Sequence, residues 1–170
     1  QNENLHKSLH AITDFERISD HARNLAESAR EMKEKELEFS QATEYELKTL
    51  SAAVSEIVDI TIRAFVEDDV SLALQVEPLE EVIDDLCDEM RNHHIGRMQR
   101  GISTLQHGFV FNDLLTNYER VGDHCSNIAV AMIELAHDVF DTHEYLDSLK
   151  NIKDAAFAAS YEEFRAKYVL

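Results

Sequence analysis

Apolar residues recur every three or four positions along nearly the whole chain, and no stretch alternates apolar and polar residues as a half-buried strand does. The pattern predicts an all-α protein. The first helix is predicted to run from about Leu5 to Lys33. Ser40 is a suitable N-cap for a second helix, which keeps its apolar seam to about Glu67.

The second half of the chain predicts three more helices. One covers about residues 72–98, with a kink or a restart expected at Pro78 because proline lacks a backbone N–H. Ser103 and Gln106 have the spacing of a capping box for the next helix, and Asp141 marks the start of a last one. Long helices joined by short connections favour an antiparallel up-and-down bundle.

The chain of 170 residues carries a formal charge of −18, which disfavours contact with nucleic acid or with anionic lipid. No apolar run approaches the roughly 20 residues that cross a bilayer, so we expect no direct insertion into a membrane. Cys87 and Cys125 lie on apolar helix faces, which fits reduced thiols in a cytoplasmic protein. Because the first residue is Gln1 rather than Met, the sequence reads as a segment of a longer protein.

One segment of the chain occurs twice. Residues 14–26 read DFERISDHARNLA and residues 117–129 read NYERVGDHCSNIA, so six of the thirteen positions are identical. An apolar stripe alone does not require the matched Glu, Arg, Asp, His and Asn, and duplication is therefore the simpler explanation.

Each copy places two carboxylates and one amide at four-residue intervals, so their oxygens lie on one face of a helix. The two sets are Glu16, Asp20 and Asn24 in the first copy and Glu119, Asp123 and Asn127 in the second. His21 and His124 follow the Asp residues directly and point about 100° away from these faces, which favours a structural or partner-facing role. Arg17 and Arg120 stand three residues before each Asp and offer it an ion-pair partner within the same helix.

The duplicated motif resembles the PhoU-like domains, which are helical bundles of repeated three-helix units, and is most similar to the C-terminal cytoplasmic domain of bacterial sodium/phosphate cotransporters. The resemblance implies the last helix of a truncated first repeat in residues 1–36, a complete second repeat in 40–140 and a helical extension in 141–170. The two helices that precede the first motif in the family are absent from this sequence. The implied function is regulation of phosphate transport, with a transporter membrane domain in the same parent chain as partner. Because the missing helices would leave an apolar face of the first helix uncovered, we also expect a homo-oligomer.

The same resemblance implies a metal cluster, because pairs of the form E(D)xxxD on adjacent helices of the family bind iron or other metals. The implied ligands are Glu80, Asp84, Glu119 and Asp123, with Glu16 and Asp20 in the incomplete repeat. Facing carboxylates repel one another and call for a counter-charge. An all-oxygen set favours hard cations, here iron, Mn, Mg or Ca.

Two alternatives remain open at this point. In the first, each Asp pairs with the Arg three residues before it, and the bundle is a metal-free scaffold or docking module. In the second, the E-x-x-H pairs Glu3 with His6 and Glu134 with His137 belong to a ferritin-like diiron enzyme. No other catalytic motif occurs in the sequence, so we expect a regulatory protein rather than an enzyme.

Overall fold

The computed structural model describes residues 2–138 and 143–170. All regular structure in these two ranges is helical, which confirms the all-α class. The helices are α1 (Asn2–Glu34), α2 (Gln41–Glu67), α3 (Val70–Ala73), α4 (Val76–Gln99), α5 (Leu105–Asp138) and α6 (His143–Lys167). The helix start that the sequence predicts at Asp141 lies outside the described residues.

Side chains of the predicted types cap the helices in the first half of the chain. The Ser40 hydroxyl accepts a hydrogen bond of 3.3 Å from the Thr43 backbone N–H at the start of α2. Asp68 ends α2 in the left-handed region, at φ 52°. The Asp69 carboxylate then accepts from the Leu72 N–H at 3.2 Å and caps the single turn of α3. The chain thus reverses within a few residues.

Pro78 marks a restart of the helix, as the sequence predicts. The single turn of α3 ends at Ala73, and α4 begins at Val76. Pro78 therefore occupies the first turn of α4, where a backbone N–H has no partner inside the helix and its absence costs no helical hydrogen bond.

The predicted capping box of Ser103 and Gln106 is wrong by one residue. Thr104 and His107 form the reciprocal cap instead: the Thr104 N–H donates to His107 Nδ1 at 3.2 Å, and the His107 N–H donates to Thr104 Oγ1 at 3.3 Å. The Ser103 N–H is already used, because it donates to the Arg97 carbonyl and closes the end of α4.

The core lies between α2, α4 and α5. Its largest fully buried side chains include Leu50, Ile57, Leu79, Ile83, Leu86, Met90, Phe111 and Leu115. Cys87 and Cys125 belong to this core as free thiols, and burial raises the pKa of Cys125 to about 11. Both thiols are therefore protonated at neutral pH and are packed as small apolar side chains.

The long helices alternate in direction, which confirms the up-and-down bundle. Near its start α2 contacts the end of α4 through Glu46 and Arg97, so these two helices are antiparallel. The last helix lies along α4: the Tyr161 hydroxyl donates to Asp85 at 2.5 Å, and Arg165 donates to Glu89 at 2.6 Å. From the first pair to the second, the position in each helix moves four residues towards its C-terminus, so α6 runs parallel to α4.

Only α5 packs along α1 at backbone level among the described helices. The predicted apolar stripe of α1 is therefore covered only in part. Leu5, Leu9 and Ile12 are 62%, 54% and 53% exposed. A row of three large apolar side chains on one helix is a candidate surface for self-association.

We expect this chain to form a dimer through that row, because burying the three side chains removes apolar surface from water. Light scattering should give a mass above the 19.5 kDa of one chain. Leu9→Lys places a charge in the row and should restore the monomer. A monomer at high protein concentration would contradict this expectation.

Candidate metal centre

Gly122 lies where α5 packs against α4. A Cβ atom at this position would be 3.6 Å from Glu80 Cγ and 3.9 Å from Ile83 Cγ2. These are ordinary van der Waals distances, so a methyl group would fit at this position. Gly122 therefore lies against the face of α4 that carries Glu80, at a position where alanine would also fit.

Three carboxylates converge beside this glycine. Glu80 and Asp84 come from successive turns of α4, and Asp123 comes from α5. One oxygen from each lies within 4.8 Å of the other two. Oxygens bound to one ion at about 2.0 to 2.6 Å are separated by up to about 5 Å, so this spacing suits a single cation. We refer to Glu80, Asp84 and Asp123 as the carboxylate triad.

The triad has an excess of negative charge. The pKa of Glu80 is raised to about 8, first by burial and then by the charge of Asp84. The pKa of Asp84 is also raised by its burial and by the charges of Asp123 and Glu119, while its hydrogen bond with Glu80 acts in the opposite direction. Glu80 therefore holds a proton at neutral pH when no cation is bound. A hard cation could replace that proton.

This titration makes the stability of the metal-free protein depend on pH. Between the ordinary pKa of 4.5 and about 8, the folded chain binds the Glu80 proton more tightly than the unfolded chain does. The free energy of unfolding should therefore fall as the pH rises through this interval. Glu80→Gln should reduce that slope in urea denaturation with chelator present, whereas the exposed control Glu27→Gln should keep it. Equal slopes in both variants would contradict the prediction.

Glu119, the fourth ligand that the resemblance implies, is not part of the triad. Its carboxylate accepts a hydrogen bond of 2.5 Å from Arg91 Nη1, and both side chains are partly buried. This bond raises the pKa of Arg91. Glu119 thus lies near Asp84 but is already paired with a fixed positive charge.

The matched histidines and asparagines of the two motif copies lie between α1 and α5. His21 Nδ1 on α1 donates to Asn117 Oδ1 on α5 at 2.9 Å. Asn24 donates to the same oxygen at 3.3 Å. The acceptor is the first residue of the second copy, so the first copy binds directly to the second.

The second copy makes the same contacts in return. His124 Nδ1 on α5 donates to Asp14 Oδ1 at 2.9 Å, and Asn127 lies 3.5 Å from that oxygen. Between the two sets the rings of His21 and His124 stack, with centroids 5.6 Å apart and planes inclined by 24°. The two motif copies are therefore related by a local two-fold axis through this histidine stack. Reciprocal bonding explains why His and Asn recur in both copies.

Residues 47–132 match the family model of the PhoU domain. This match covers half of the chain. The chain belongs to the PhoU domain family.

A curated relative of this PhoU domain is the phosphate-specific transport system accessory protein PhoU homolog 1 of Thermotoga maritima. It is 29% identical over 141 residues, which are 83% of this chain and 55% of the relative. The chain thus spans about half the length of that protein. No solved structure is significantly similar to the present chain. In the described ranges, none of the helices has both the length and the apolar character needed to span a membrane.

In the part of the chain that the structure describes, the first motif copy belongs to no group of three converging carboxylates. Glu16 and Asp20 lie exposed on α1, where no other described helix covers them. The pairing of Arg17 with Asp20, which the sequence left open as an alternative, is not formed, and Asp20 contacts Arg23 instead, at 3.9 Å. Both side chains of that pair are more than half exposed, so solvent screens it.

The corresponding pair in the second copy is also not formed. Within the described residues, Arg120 has no carboxylate within 4.0 Å, and Asp123 joins the triad instead. Both residues are exposed, but the Asp123 carboxylate lies beside those of Glu80 and Asp84 on α4 rather than beside Arg120. The intrahelical ion pair therefore does not neutralise the second copy.

A buried ion pair that the sequence analysis missed joins α2 to α4. Glu46 bonds to Arg97, and their side chains are only 5% and 9% exposed. His93 Nδ1 lies 3.3 Å from the same carboxylate. Heptad spacing carries a signal for this pair, since Glu46 precedes Ala53 by seven residues and Arg97 follows Met90 by seven. Glu46 and Arg97 therefore each stand at an apolar seam position of their helix, and their charges are of opposite sign.

Proposed function

We propose that this PhoU domain regulates phosphate transport. Family membership carries the proposal, together with the relative whose name describes an accessory protein of a phosphate-specific transport system. The sequence carries no catalytic motif other than the two E-x-x-H pairs, which fits a regulatory role. Its acidic surface, with a net charge of −18, suits binding to cations or to a basic partner better than direct binding to free phosphate.

We further propose that the carboxylate triad holds a hard divalent cation such as iron, Mn, Mg or Ca. The observation that supports this is the convergence of three oxygens within 4.8 Å, with the pKa of Glu80 raised to about 8. Glu80 and Asp84 would supply the two ligands of α4, and Asp123 the ligand of α5. The ion would supply positive charge at an acidic surface, where phosphate oxygens could bind. Arg91 keeps Glu119 in place beside the triad.

The ferritin-like alternative is less well supported. The groove that contains His6 and Glu134 is lined by α1 and α5 alone, whereas a ferritin-like centre takes ligands from four helices. The side chain of Glu3 lies outside the described residues. A regulatory cation site therefore fits this bundle better than a diiron enzyme.

We propose that the parent protein is a sodium/phosphate cotransporter with this domain on the cytoplasmic face of the membrane. The likeness of the duplicated motif to that family supports the proposal. Reading the coding sequence upstream of Gln1 tests it directly. Several apolar segments of about 20 residues are expected there, while a further PhoU repeat without them would make the protein a separate accessory subunit.

The regulatory proposal is tested by phosphate uptake in cells that carry the full-length protein. Asp84→Asn with Asp123→Asn should abolish the difference in uptake between phosphate-rich and phosphate-poor medium. Asp20→Asn is the matched control, because Asp20 holds the equivalent place in the motif but joins no group of three carboxylates among the described residues. If deletion of the whole domain leaves uptake unchanged in both media, the regulatory proposal is overturned.

A further inference from the structure

A histidine without hydrogen-bond partners lies inside the corner where α4 ends and α5 begins. His94 is only 5% exposed, and within the described chain neither of its ring nitrogens has a partner. Buried polar groups are rarely left in this state, because they lose their hydrogen bonds to water. An apolar side chain would avoid that cost, so the histidine itself is the feature to explain.

Packing from α5 holds the His94 ring on two sides. The Phe111 ring stacks on it, with centroids 4.4 Å apart and planes inclined by 15°. A Cβ atom at Gly108 would be 3.3 Å from His94 Nε2, which is tighter than ordinary van der Waals contact. Glycine at this position thus allows α5 to lie directly against the imidazole. These contacts bury the ring but supply no acceptor for an additional N–H.

The charged and titratable side chains that face His94 come from three helices. Arg97 on α4 and His107 on α5 disfavour a positive charge on the ring, whereas Glu46 on α2 favours one. Glu46 is already paired with Arg97. Burial lowers the pKa of His94 most, and the charges of Arg97 and His107 lower it further. The ring is therefore neutral at neutral pH.

His107 is bonded as a neutral ring beside it. Its Nε2 donates to the Glu38 carbonyl at 2.8 Å, and its Nδ1 accepts from the Thr104 N–H at 3.2 Å. A carbonyl only accepts and a backbone N–H only donates, so these two bonds fix one neutral tautomer. A proton on Nδ1 would take the acceptor away from the Thr104 N–H.

We propose that His94 makes this corner an acid-sensitive contact, which is closed while the ring is neutral and opens when the ring is protonated. Protonation would place a second positive charge beside Arg97, at a position without an acceptor. Separation of the last turn of α4 from the first turns of α5 would bring water to the imidazolium. The proposal rests neither on the carboxylate triad nor on the proposed regulatory function.

The lowered pKa fixes the direction of the pH dependence. The unfolded chain binds the His94 proton near the ordinary pKa of 6.5, and the folded chain binds it only at lower pH. The contribution of His94 to stability is therefore lost as the pH falls below that value. Uptake of one proton changes the unfolding equilibrium constant by at most about tenfold per pH unit. The titration of Glu80 acts in the opposite direction, so the effect is measured against variants that lack His94.

His94→Phe and His94→Leu remove the titrating group, the first with a ring of similar shape and the second with a smaller side chain. Urea denaturation of the unmodified protein and of both variants compares their stabilities across this pH range. Below about pH 6.5 the unmodified protein should lose stability relative to either variant, by up to about tenfold in the unfolding constant per pH unit. His10→Gln removes an exposed histidine of α1 and should follow the unmodified protein. Circular dichroism shows that each variant is folded.

Nuclear magnetic resonance of the unmodified protein tests the proposal without any variant. The His94 ring should titrate at a lower pH than the exposed His10 ring. The amides of residues 105–111 should exchange faster in the unmodified protein than in His94→Phe, by a ratio that rises as the pH falls. Titration of His94 at or above the pH of His10 overturns the proposal. So does the same pH dependence of stability in the unmodified protein and in the His94 variants.

Discussion

Replacing Glu46 with leucine is expected to destabilise the protein by about 3 to 5 kcal/mol, because it leaves the buried Arg97 without its counter-charge. The pair is nearly inaccessible to water, so solvent cannot replace the lost carboxylate. Urea denaturation of the variant and of the unmodified protein measures the difference. We expect the midpoint to fall with little change in the slope.

The double variant Glu46→Leu with Arg97→Leu identifies the cause. Removing both charges removes the unpaired ion, so most of the lost stability should return. The matched control is the ion pair of Asp59 and Arg63, whose side chains are more than half exposed. Breaking that pair with Asp59→Asn should cost less than about 1 kcal/mol. If the double variant is less stable than Glu46→Leu, unpaired charge is not the source of the effect.

The periodicity of the sequence was sufficient to predict the helices and their order. The apolar seams and Ser40 located α2, and Pro78 located the restart of α4. The capping box at the start of α5 was displaced because two adjacent residues, Ser103 and Thr104, can each cap a helix. The choice between them depends on which backbone N–H closes α4, and that is a property of the folded turn.

The sequence pattern predicted less of the candidate metal site than of the helices. The spacing of Glu80 and Asp84 predicts that they share a helix face, and the structure brings Asp123 to them. The partner of Glu119 is Arg91, which lies 28 residues earlier in the chain and on another helix. Local spacing cannot predict such a pair, because it depends on the axial position of α4 along α5. The ligand role of the triad itself remains a prediction.

The duplicated histidines show a different limit. Comparison of the two copies indicated that His21 and His124 serve a purpose beyond an apolar stripe. Their hydrogen-bond partners are Asn117 and Asp14, the residues at which the two copies differ at their first position. Each copy is therefore the partner of the other. The sequence contains both halves of this interface but not the antiparallel contact that joins them.

Adding Mn²⁺ to the metal-free protein is expected to raise its free energy of unfolding by about 2.7 kcal/mol when the ion is present at one hundred times its dissociation constant. The ion would bind the folded chain through the carboxylate triad and take the place of the proton on Glu80, whose pKa is raised to about 8 by burial and by the charge of Asp84. Thermal unfolding with Mn²⁺, Mg²⁺, Ca²⁺ or chelator measures this effect.

Asp123→Asn should remove most of this gain, because it takes a charged ligand from the triad and keeps the side-chain size. The same variant relieves repulsion among the carboxylates, so without metal it should be no less stable than the unmodified protein. Asp20→Asn alters the equivalent residue of the first motif copy, where no carboxylates converge, and should keep the full response to metal. The metal-free scaffold predicts instead that melting is the same with every ion and with chelator. The ion pair of Arg120 with Asp123 is not formed, so in a metal-free scaffold only bound protons would neutralise the carboxylate triad. The stability of that scaffold would then depend on pH but not on metal.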